Sequence, residues 1–541
     1  VDNPNDALLY NIRGACYAGL NQIKIAKENY EKAISLNPGY AKAHYNLAGA
    51  LHELRDFDAS IQSYQNAITI EADHAEAHNN LGNVFKEVDQ LDKAIKSYKK
   101  AISLKPDYVE AYYSLGSTFY DSEKLEEAVE CFSKLVELKP RFSLIHNNLG
   151  NILRELGRFN EAISSYEKAI SIDPDFFEVY FNLGVTFQDI KDYSNSANYY
   201  KKAVDNNENY PEAHNNLGVA YKELKEYDLA IKSYDKAIDL RPEYADAHSN
   251  LGTLFKELGQ LDKAIKCHEQ VIDFQPDNAD AHFNLGLILF DYGRFDSAID
   301  CYKKAIKADT RYTEAYNNLG LILLESGILD EAKKYFENAS IINPKDALAF
   351  NHLGIVYRRL HNLNDSAKCF EKAISINPIY PDAFANLGNV LKDIGSHDKA
   401  LTNYQRAYEL DSSVEYLLGK ILHTQMHLCI WDDFSRQLKE LEVQINDNLK
   451  RVDAFTFMAL LDNPRLQQKV SEVYAKDKFP KSNILPEIDI YTGHNKIRVG
   501  YFSGDFREHP VSSLTANLYE IHNRDQFEIY AFSFGSDTND K

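Results

Sequence analysis

One 34-residue pattern runs twelve times without a gap from Ala7 to Val414, and this period constrains the fold more than any other feature. Successive copies open with a phrase such as AEAHNNLGNVFKE and close with one such as AIKSYKKAISLKPDY. The pattern covers about three quarters of the 541 residues. A single helical pair cannot bury both of its faces, so a period of this length predicts a stack of helix–turn–helix units.

Each copy is predicted to contain two amphipathic helices. In the copy from Ala75 to Tyr108, apolar residues recur at helical spacing in both halves. Asp89 and Gln90 fall in the turn between them, and Pro106 ends the second helix because proline cannot donate to the helical ladder. The pattern resembles the tetratricopeptide repeat. That resemblance implies a mostly α protein, a right-handed α-solenoid whose concave groove suits extended partners.

Two repeat positions indicate tight packing, if the 34 positions of each copy are numbered from 1. Position 8 is Gly in eleven of twelve copies, with Ala48 as the exception. Gly costs about 1 kcal/mol relative to Ala inside a helix, so its recurrence predicts a close approach of neighbouring helices. Position 24 is Tyr or Phe in every copy except at His268, and this large ring is predicted to fill the layer between repeats.

Position 6 is the candidate binding position. It lies on the first helix and is expected to face the groove, where an amide that both donates and accepts can pair with any peptide backbone. The alternative is that Asn is simply common at this position in such repeats. Nine copies carry the candidate substrate-binding residues: Asn46, Asn80, Asn148, Asn182, Asn216, Asn250, Asn284, Asn318 and Asn386.

Histidines and cysteines are interpreted mainly as packing residues. Six histidines share position 4, where other copies have Tyr or Phe, and four cysteines share position 23. These thiols are expected to be reduced, as in a cytosolic protein. His423 and His427 lie four residues apart near Cys429, but no Glu follows as in HExxH, so no metal site is predicted.

Composition narrows the class of partner. The formal net charge of −21 argues against general nucleic-acid binding, which needs a basic surface. No apolar run reaches the length of a membrane span, and no secretory leader opens the chain. We therefore expect a cytoplasmic protein with no membrane or nucleic-acid partner; the sequence leaves its oligomeric state open.

The 34-residue repeat ends at Val414, and the composition changes after it. The predicted organisation is a leader at 1–6, twelve repeats at 7–414, a helical adaptor at 415–494 and the start of another domain at 495–541. Pro464, Pro480 and Pro486 are expected to prevent any long helix after residue 449. The segments 496–506 and 526–534 are typical of strands, with a helix between them at 509–522. Strand, helix and strand predict the opening βαβ of a Rossmann-like lobe, incomplete within this chain.

The tail resembles the O-linked N-acetylglucosamine transferase family and its plant O-fucosyltransferase relatives. In that family a repeat array leads through a helical adaptor into a two-lobed GT-B catalytic region. The phrases CIWDDF at 429–434 and LLDNPRLQ at 460–467 resemble the adaptor of its bacterial branch. The first catalytic strand and following loop match at Arg498, Val499, Gly500, Tyr501, Ser503, Asp505, Phe506, His509 and Pro510.

The resemblance implies transfer of a sugar from a nucleotide donor, UDP-N-acetylglucosamine in the first instance, to Ser or Thr of protein acceptors. His509 is then the candidate catalytic residue, acting in proton transfer or orienting the acceptor; alternatively it only caps the helix beginning at Pro510. Ser513 stands where the family often has a second His. No bound cofactor is implied, and the nucleotide pocket is expected in a second lobe beyond this chain.

The sequence therefore predicts a protein O-glycosyltransferase whose repeats bind protein substrates, and which is inactive as this 541-residue chain. Two alternatives remain: a non-enzymatic scaffold for protein–protein interaction, and an O-fucosyltransferase of the same family.

Overall fold

The computed structural model describes residues 6–478 with their side chains, together with the backbone of two short strands at 497–503 and 527–533. Contacts divide the chain into two compact units, Val1–Asn377 and Pro378–Lys541. The first contains the first eleven helical pairs. The second contains the twelfth pair and the adaptor, and each unit is described by itself below.

Every repeat forms the two predicted helices, which confirms the α-solenoid. The first helix spans 13 residues and the second 14, and the two pack against each other before the chain enters the next pair. The pairs of the first unit are α1 Ala7–Gly19 and α2 Ile23–Leu36, α3 Ala41–Glu53 and α4 Phe57–Ile70, α5 Ala75–Glu87 and α6 Leu91–Leu104, α7 Val109–Asp121 and α8 Leu125–Leu138, α9 Ser143–Glu155 and α10 Phe159–Ile172, α11 Phe177–Asp189 and α12 Tyr193–Asn206, α13 Pro211–Glu223 and α14 Tyr227–Leu240, α15 Ala245–Glu257 and α16 Leu261–Phe274, α17 Ala279–Asp291 and α18 Phe295–Ala308, α19 Thr313–Glu325 and α20 Leu329–Ile342, and α21 Ala347–Arg359 and α22 Leu363–Ile376.

The glycine at position 8 is required by the ring at position 24 of the same repeat. A Cβ built on Gly218 would lie 2.6 Å from the Tyr234 ring, and one on Gly184 would lie 2.5 Å from the Tyr200 ring. Real Cβ atoms do not approach that closely, so the predicted close approach is confirmed. The ring also borders the next repeat, as predicted: the hydroxyl of Tyr200 accepts a hydrogen bond from Asn216 of the following repeat at 3.4 Å.

The turn between the two helices uses the left-handed backbone region at position 15 in all twelve copies. Five copies place Gly there, for example Gly157 at φ +72°. The other seven place a residue with a side chain, such as Arg55 at +59° and Lys225 at +62°. A non-Gly residue in this region is strained by about 1–2 kcal/mol, so each of these seven turns stores some strain.

The second unit begins with the twelfth repeat, whose helices are α23 Pro381–Asp393 and α24 His397–Leu410. Four adaptor helices follow: α25 Leu417–His427, α26 Phe434–Asn446, α27 Ala454–Leu460 and α28 Pro464–Lys478. The prediction that Pro464 prevents a long helix is wrong. Pro464 is instead the first residue of a helix of 15 residues. Proline fits the first helical turn because its missing N–H would have no partner there.

The adaptor helices enclose a small core of their own. Leu422, Leu441 and Phe457 are fully buried in it. The segment before α27 crosses the start of α25, where the amide of Gly419 donates to the carbonyl oxygen of Arg451 at 2.9 Å. This pairing fixes the adaptor by backbone contacts as well as by apolar packing.

The two predicted strands are present, β1 Ile497–Ser503 and β2 Phe527–Ser533. They pair in parallel, with Ile497 opposite Phe527 and Ser503 opposite Ser533. A parallel pair needs a crossover connection. The helix predicted within that connection, at 509–522, lies outside the described residues.

Candidate functional site: the first-helix face

The candidate site is the surface formed by positions 5, 6, 9, 12 and 13 of successive first helices, here called the first-helix face. Neighbouring first helices contact one another directly, for example α5 with α7 and α13 with α15. Among the described helices, second helices of neighbouring repeats make fewer such contacts. A stack that is tighter on one side curves towards it, so the first-helix face of the first unit is concave.

The eight position-6 asparagines of the first unit lie on this face, and all eight are half-buried. Their amide nitrogens, however, mostly point along the stack rather than into solvent. Asn46 donates to the Oδ1 of Asn11 at 2.9 Å, and Asn182 donates to that of Asn147 at 3.0 Å. Asn250 donates to Asn215 at 3.0 Å. In each case the acceptor is position 5 of the preceding repeat.

In other repeats the position-6 amide donates to a tyrosine hydroxyl instead. Where position 5 is Tyr, the amide donates to the phenol: Asn80 to Tyr45 at 2.9 Å and Asn148 to Tyr113 at 3.4 Å. Asn216 follows a Phe, and it donates to the hydroxyl of Tyr200 at 3.4 Å. Of the eight position-6 asparagines in the first unit, six thus form links between neighbouring repeats.

The exceptions to the Asn pattern show what this link does. Buried Asn79 and Asn317 are position-5 asparagines whose Oδ1 atoms have no hydrogen-bond partner among the described residues. Each precedes a repeat in which position 6 is not Asn, but Ser114 or His352. A buried acceptor without a donor costs about 1–3 kcal/mol. The position-6 asparagine therefore has a structural role that the sequence pattern alone did not reveal.

Asn284 and Asn318 are different from the six. Position 5 of the preceding repeat is Ser249 in one case and Phe283 in the other. Within the described part of the chain, neither side-chain amide makes a hydrogen bond, so both are available to a ligand on the first-helix face. Asn386, in the second unit, is half-buried as well.

Aromatic residues at position 5 shape this face between the asparagines. Tyr45, Tyr113, Phe181 and Phe283 occupy it, and each ring centroid lies 5.5–5.7 Å from that of the position-24 ring in the same repeat. A cavity of 190 Å³ opens between the fourth and fifth repeats. Its walls include Tyr113, Ser117, Tyr120, Phe132, Asn148, Asn151 and Ile152.

A row of ion pairs follows one edge of the face and links position 12 of one repeat to position 13 of the next. Lys86 reaches Asp121 at 2.7 Å, and Lys222 reaches Glu257 at 3.0 Å. The other pairs are Arg154–Asp189 and Lys256–Asp291. At the same two positions His52 is hydrogen-bonded to Glu87 and Tyr120 donates a hydrogen bond to Glu155. These charges are half exposed, so each pair contributes about 0.2–1 kcal/mol.

The row is interrupted once after the sixth repeat, where position 12 is Gln188, and again in the ninth and tenth repeats. Position 12 becomes Phe290 and then Leu324, and Arg359 at position 13 donates to the Leu324 carbonyl oxygen at 2.7 Å. Glu325, at position 13 of the tenth repeat, is exposed and has no cation partner among the described side chains. This stretch is the one where the two available asparagines lie.

The position-4 histidines have a structural explanation. The Nε2 of His146 lies 3.0 Å from the Pro140 carbonyl oxygen and that of His282 lies 2.8 Å from the Pro276 carbonyl oxygen. The other four contact the carbonyl six residues earlier in the same way. Burial lowers the pKa of His78 and His214, which favours the neutral ring. The histidines therefore tie the end of one repeat to the first helix of the next.

The position-23 cysteines lie in the core. All six cysteines are free, and burial raises the pKa of the Cys131 thiol to about 12 and that of Cys301 to about 11. A thiol with so high a pKa carries almost no thiolate at neutral pH, so these groups are unsuited to nucleophilic chemistry.

Two histidines of adaptor helix α25 and one from the twelfth repeat pack their rings against one another. The His423 and His427 rings meet edge to face at 4.7 Å, and His397 stacks on His427 at 5.2 Å. Among the described residues, no group of three or more His, Cys, Asp or Glu side chains is arranged to hold a metal ion. The part of the chain that the structure describes also has no helix of the length and apolar character that crossing a membrane requires. His509, the candidate catalytic residue, lies outside the described residues.

Comparison with known families finds matches in two regions of the chain. Models described as "TPR repeat" and "Tetratricopeptide repeat" together cover residues 7–402 without a gap, more than half of the chain. A model described as "Glycosyl transferase family 41" matches residues 428–541, which include the adaptor helices α26–α28 and both strands.

Among curated proteins, a similar one is the "Probable UDP-N-acetylglucosamine--peptide N-acetylglucosaminyltransferase SEC" of Arabidopsis thaliana, 30% identical over 135 residues. The match covers 22% of this chain and 14% of that protein. A "Peroxisomal targeting signal receptor" of Kluyveromyces lactis is 46% identical over 46 residues, 8% of each chain. The present chain thus spans a small part of either relative. Among solved structures, MamA is 31% identical, with a TM-score of 0.30, over 32% of this chain and 94% of that one.

Proposed function

Because the chain belongs to the tetratricopeptide-repeat family and its residues 428–541 match glycosyl transferase family 41, we propose that it binds protein substrates for O-glycosylation. The repeats present the acceptor polypeptide, and the family 41 region transfers N-acetylglucosamine from UDP-N-acetylglucosamine to Ser or Thr. The observation that carries the proposal is the union of this array with that match in one chain.

The first-helix face supports the first half of this proposal. It is concave, carries aromatic rings at position 5 and offers the amides of Asn284 and Asn318, which can donate to and accept from a peptide backbone. The parallel pairing of β1 and β2 supports the second half, since parallel strands joined by a crossover are the start of an α/β lobe.

His509 is proposed to act on the acceptor hydroxyl. It follows β1 by six residues and, by the family resemblance, faces the cleft where sugar and acceptor meet. A neutral imidazole there accepts the hydroxyl proton or orients the hydroxyl towards the sugar. The product is a glycoside of inverted configuration at the sugar carbon, and the nucleotide diphosphate is the leaving group.

The test is incorporation of labelled sugar into a protein acceptor by a form extended through the complete family 41 region. We expect transfer from UDP-N-acetylglucosamine, and His509→Ala should lower turnover by about 100-fold or more. His522→Ala in the same segment is the matched control and should retain activity.

Two other outcomes of this assay would assign a different function. Transfer from GDP-fucose alone would assign the protein to O-fucosylation instead. No transfer from either donor, in an extended form with the expected helical circular dichroism, would favour a non-enzymatic scaffold. The 541-residue chain itself is expected to transfer no sugar.

A further inference from the structure

The ninth to eleventh repeats form a segment of the first-helix face that combines large aliphatic side chains with two position-6 amides not used within the described array. Position 9 is Leu287, Leu321 and Ile355 in these three repeats, and all three side chains are half-buried. In the third to fifth repeats the same position is Asn, Ser and Asn. Position 9 is the smaller Val185 and Val219 in the sixth and seventh repeats and the polar Thr253 in the eighth. The ninth to eleventh repeats therefore carry a separate strip of larger aliphatic side chains.

Polar groups without partners border this strip. Asn284 and Leu287 are three residues apart on one helix, and so are Asn318 and Leu321, so each amide lies beside an apolar side chain. Neither amide is used within the described array, unlike the six that link neighbouring repeats. A ligand that covers the strip therefore needs hydrogen-bonding groups at its edge.

Spacing indicates that this ligand is an extended polypeptide. Packed helices lie about 8–10 Å apart, and an extended chain advances about 3.3 Å per residue. Backbone groups roughly three residues apart can thus reach Asn284 and Asn318 in turn, while a side chain between them enters the strip.

Charge restricts the ligand further. Glu325 lies at the position where other repeats pair an acid with a cation, but the preceding repeat supplies Phe290 instead. The exposed Glu325 carboxylate is thus open to a cation from outside the chain. The net charge of −21 also favours a basic ligand.

On the basis of the proposed function, we propose that the ninth to eleventh repeats select acceptor polypeptides with an aliphatic or aromatic residue next to a Lys or Arg. The apolar residue packs on Leu287 and Leu321, the backbone pairs with Asn284 and Asn318, and the cation meets Glu325. The earlier repeats, whose position-6 amides are largely engaged, contact the polypeptide less selectively.

The binding test uses the full 541-residue chain and fluorescence anisotropy of a labelled, Ser- and Thr-rich peptide of fourteen residues with one Leu–Lys pair. We expect the double variant Leu287→Asn/Leu321→Asn to bind this peptide about ten-fold more weakly. Val185→Asn/Val219→Asn changes position 9 in the sixth and seventh repeats, and this matched control should cost clearly less affinity than the first double variant, because those repeats contact the polypeptide less selectively. Equal losses in both double variants, or none in the first, would overturn the proposal.

A charge exchange keeps the test decisive if the apolar variants fold poorly. Glu325→Lys should weaken the Leu–Lys peptide at least five-fold and restore binding to the matching Leu–Glu peptide. Glu223→Lys is the control, because Glu223 occupies position 13 of the seventh repeat and also has no cation partner among the described residues. If Glu325→Lys does not exchange the preference, the site is not where we place it.

The same measurements separate this site from the broader function. Sugar transfer that persists while Glu325→Lys leaves peptide preference unaltered refutes the site and leaves the glycosyltransferase standing. Selective peptide binding by this chain, together with no sugar transfer by the extended form, refutes the enzyme and retains the site. Sedimentation that shows the apolar strip holding two copies of the chain together, rather than a peptide, would also refute the site.

Discussion

The hydrogen bond between Asn250 and Asn215 gives a quantitative test of how the repeats are joined. Asn250→Ala removes the donor and leaves the buried Asn215 Oδ1 without a partner, as already occurs at Asn79 and Asn317. An orphaned buried acceptor costs about 1–3 kcal/mol. Asn284→Ala removes an amide of the same position that makes no bond within the described array, so its cost should be within about 0.5 kcal/mol.

The measurement must be local, because stacked repeats can unfold in parts. Hydrogen exchange of the amides in the seventh and eighth repeats, residues 211–278, reports the free energy of opening at this junction. We expect faster exchange in Asn250→Ala there, by about ten-fold for each 1.4 kcal/mol lost, and little change in the second repeat. Asn284→Ala should leave the exchange close to that of the parent protein.

A double variant isolates the orphaned acceptor as the cause. Adding Asn215→Ala to Asn250→Ala removes the unsatisfied oxygen, and replacing both partners should recover part of the lost stability. If the double variant exchanges as fast as the sum of the two single changes predicts, the unsatisfied acceptor is not the source of the cost. If Asn284→Ala destabilises as much as Asn250→Ala, the whole distinction between linking and available asparagines is wrong.

Three further predictions concern single positions of the repeat. Gly218→Ala places a methyl group against the Tyr234 ring and should destabilise by about 1–3 kcal/mol, partly offset by the higher helix propensity of Ala. Gly49→Ala, whose added Cβ would lie 3.7 Å from the Tyr64 hydroxyl oxygen, should be neutral or stabilising in thermal melts. Lys225→Gly relieves left-handed strain at φ +62° and should raise the urea midpoint by the equivalent of up to about 1 kcal/mol; a lower midpoint would show that the turn is not strained. Burial lowers the pKa of His268 from its ordinary 6.5 to about 4, so its contribution to stability is complete above pH 6.5 and is lost as the pH falls towards 4, by about 3 kcal/mol. His268→Tyr should remove this dependence in urea titrations at pH 7 and pH 4.5, and an unaltered slope would exclude the buried imidazole as its source.

The sequence predicted helices and their packing well because those features depend on contacts at short range. The 34-residue period places both helices of every repeat, and the recurrent Gly at position 8 indicates the ring contact within one hairpin. The left-handed backbone at position 15 is harder to predict, because only five copies have Gly there. The turn nevertheless imposes the same conformation on residues with a side chain, such as Lys225. Pro464 was misread, because a proline that ends one helix can equally begin another.

The candidate site was predicted less completely. Placing Asn250 on the concave side needs only the helical period, and the structure agrees with that placement. Whether its amide is free depends on Asn215, 35 residues earlier, and on the rise from one repeat to the next. That rise is a property of the stack, so the pattern of a single repeat could not distinguish Asn250 from Asn284.

The link between position 6 and position 5 also has a consequence for how such an array can grow. Asn at position 6 can donate to either Asn or Tyr at position 5 of the preceding repeat. Repeats that carry it can therefore be duplicated, lost or exchanged by recombination without leaving a buried acceptor unpaired. Repeats with Ser114 or His352 at that position lack this freedom. Loss of the fourth repeat would make the fifth repeat follow the third, so that Asn148 could donate to the unpaired Asn79. A second copy of the fourth repeat inserted after the fifth would instead place a Ser after Asn147 and leave that acceptor unpaired. The position-6 amide thus makes most repeats exchangeable, and the number of repeats can change during evolution while the hydrogen bonds between neighbouring repeats are kept.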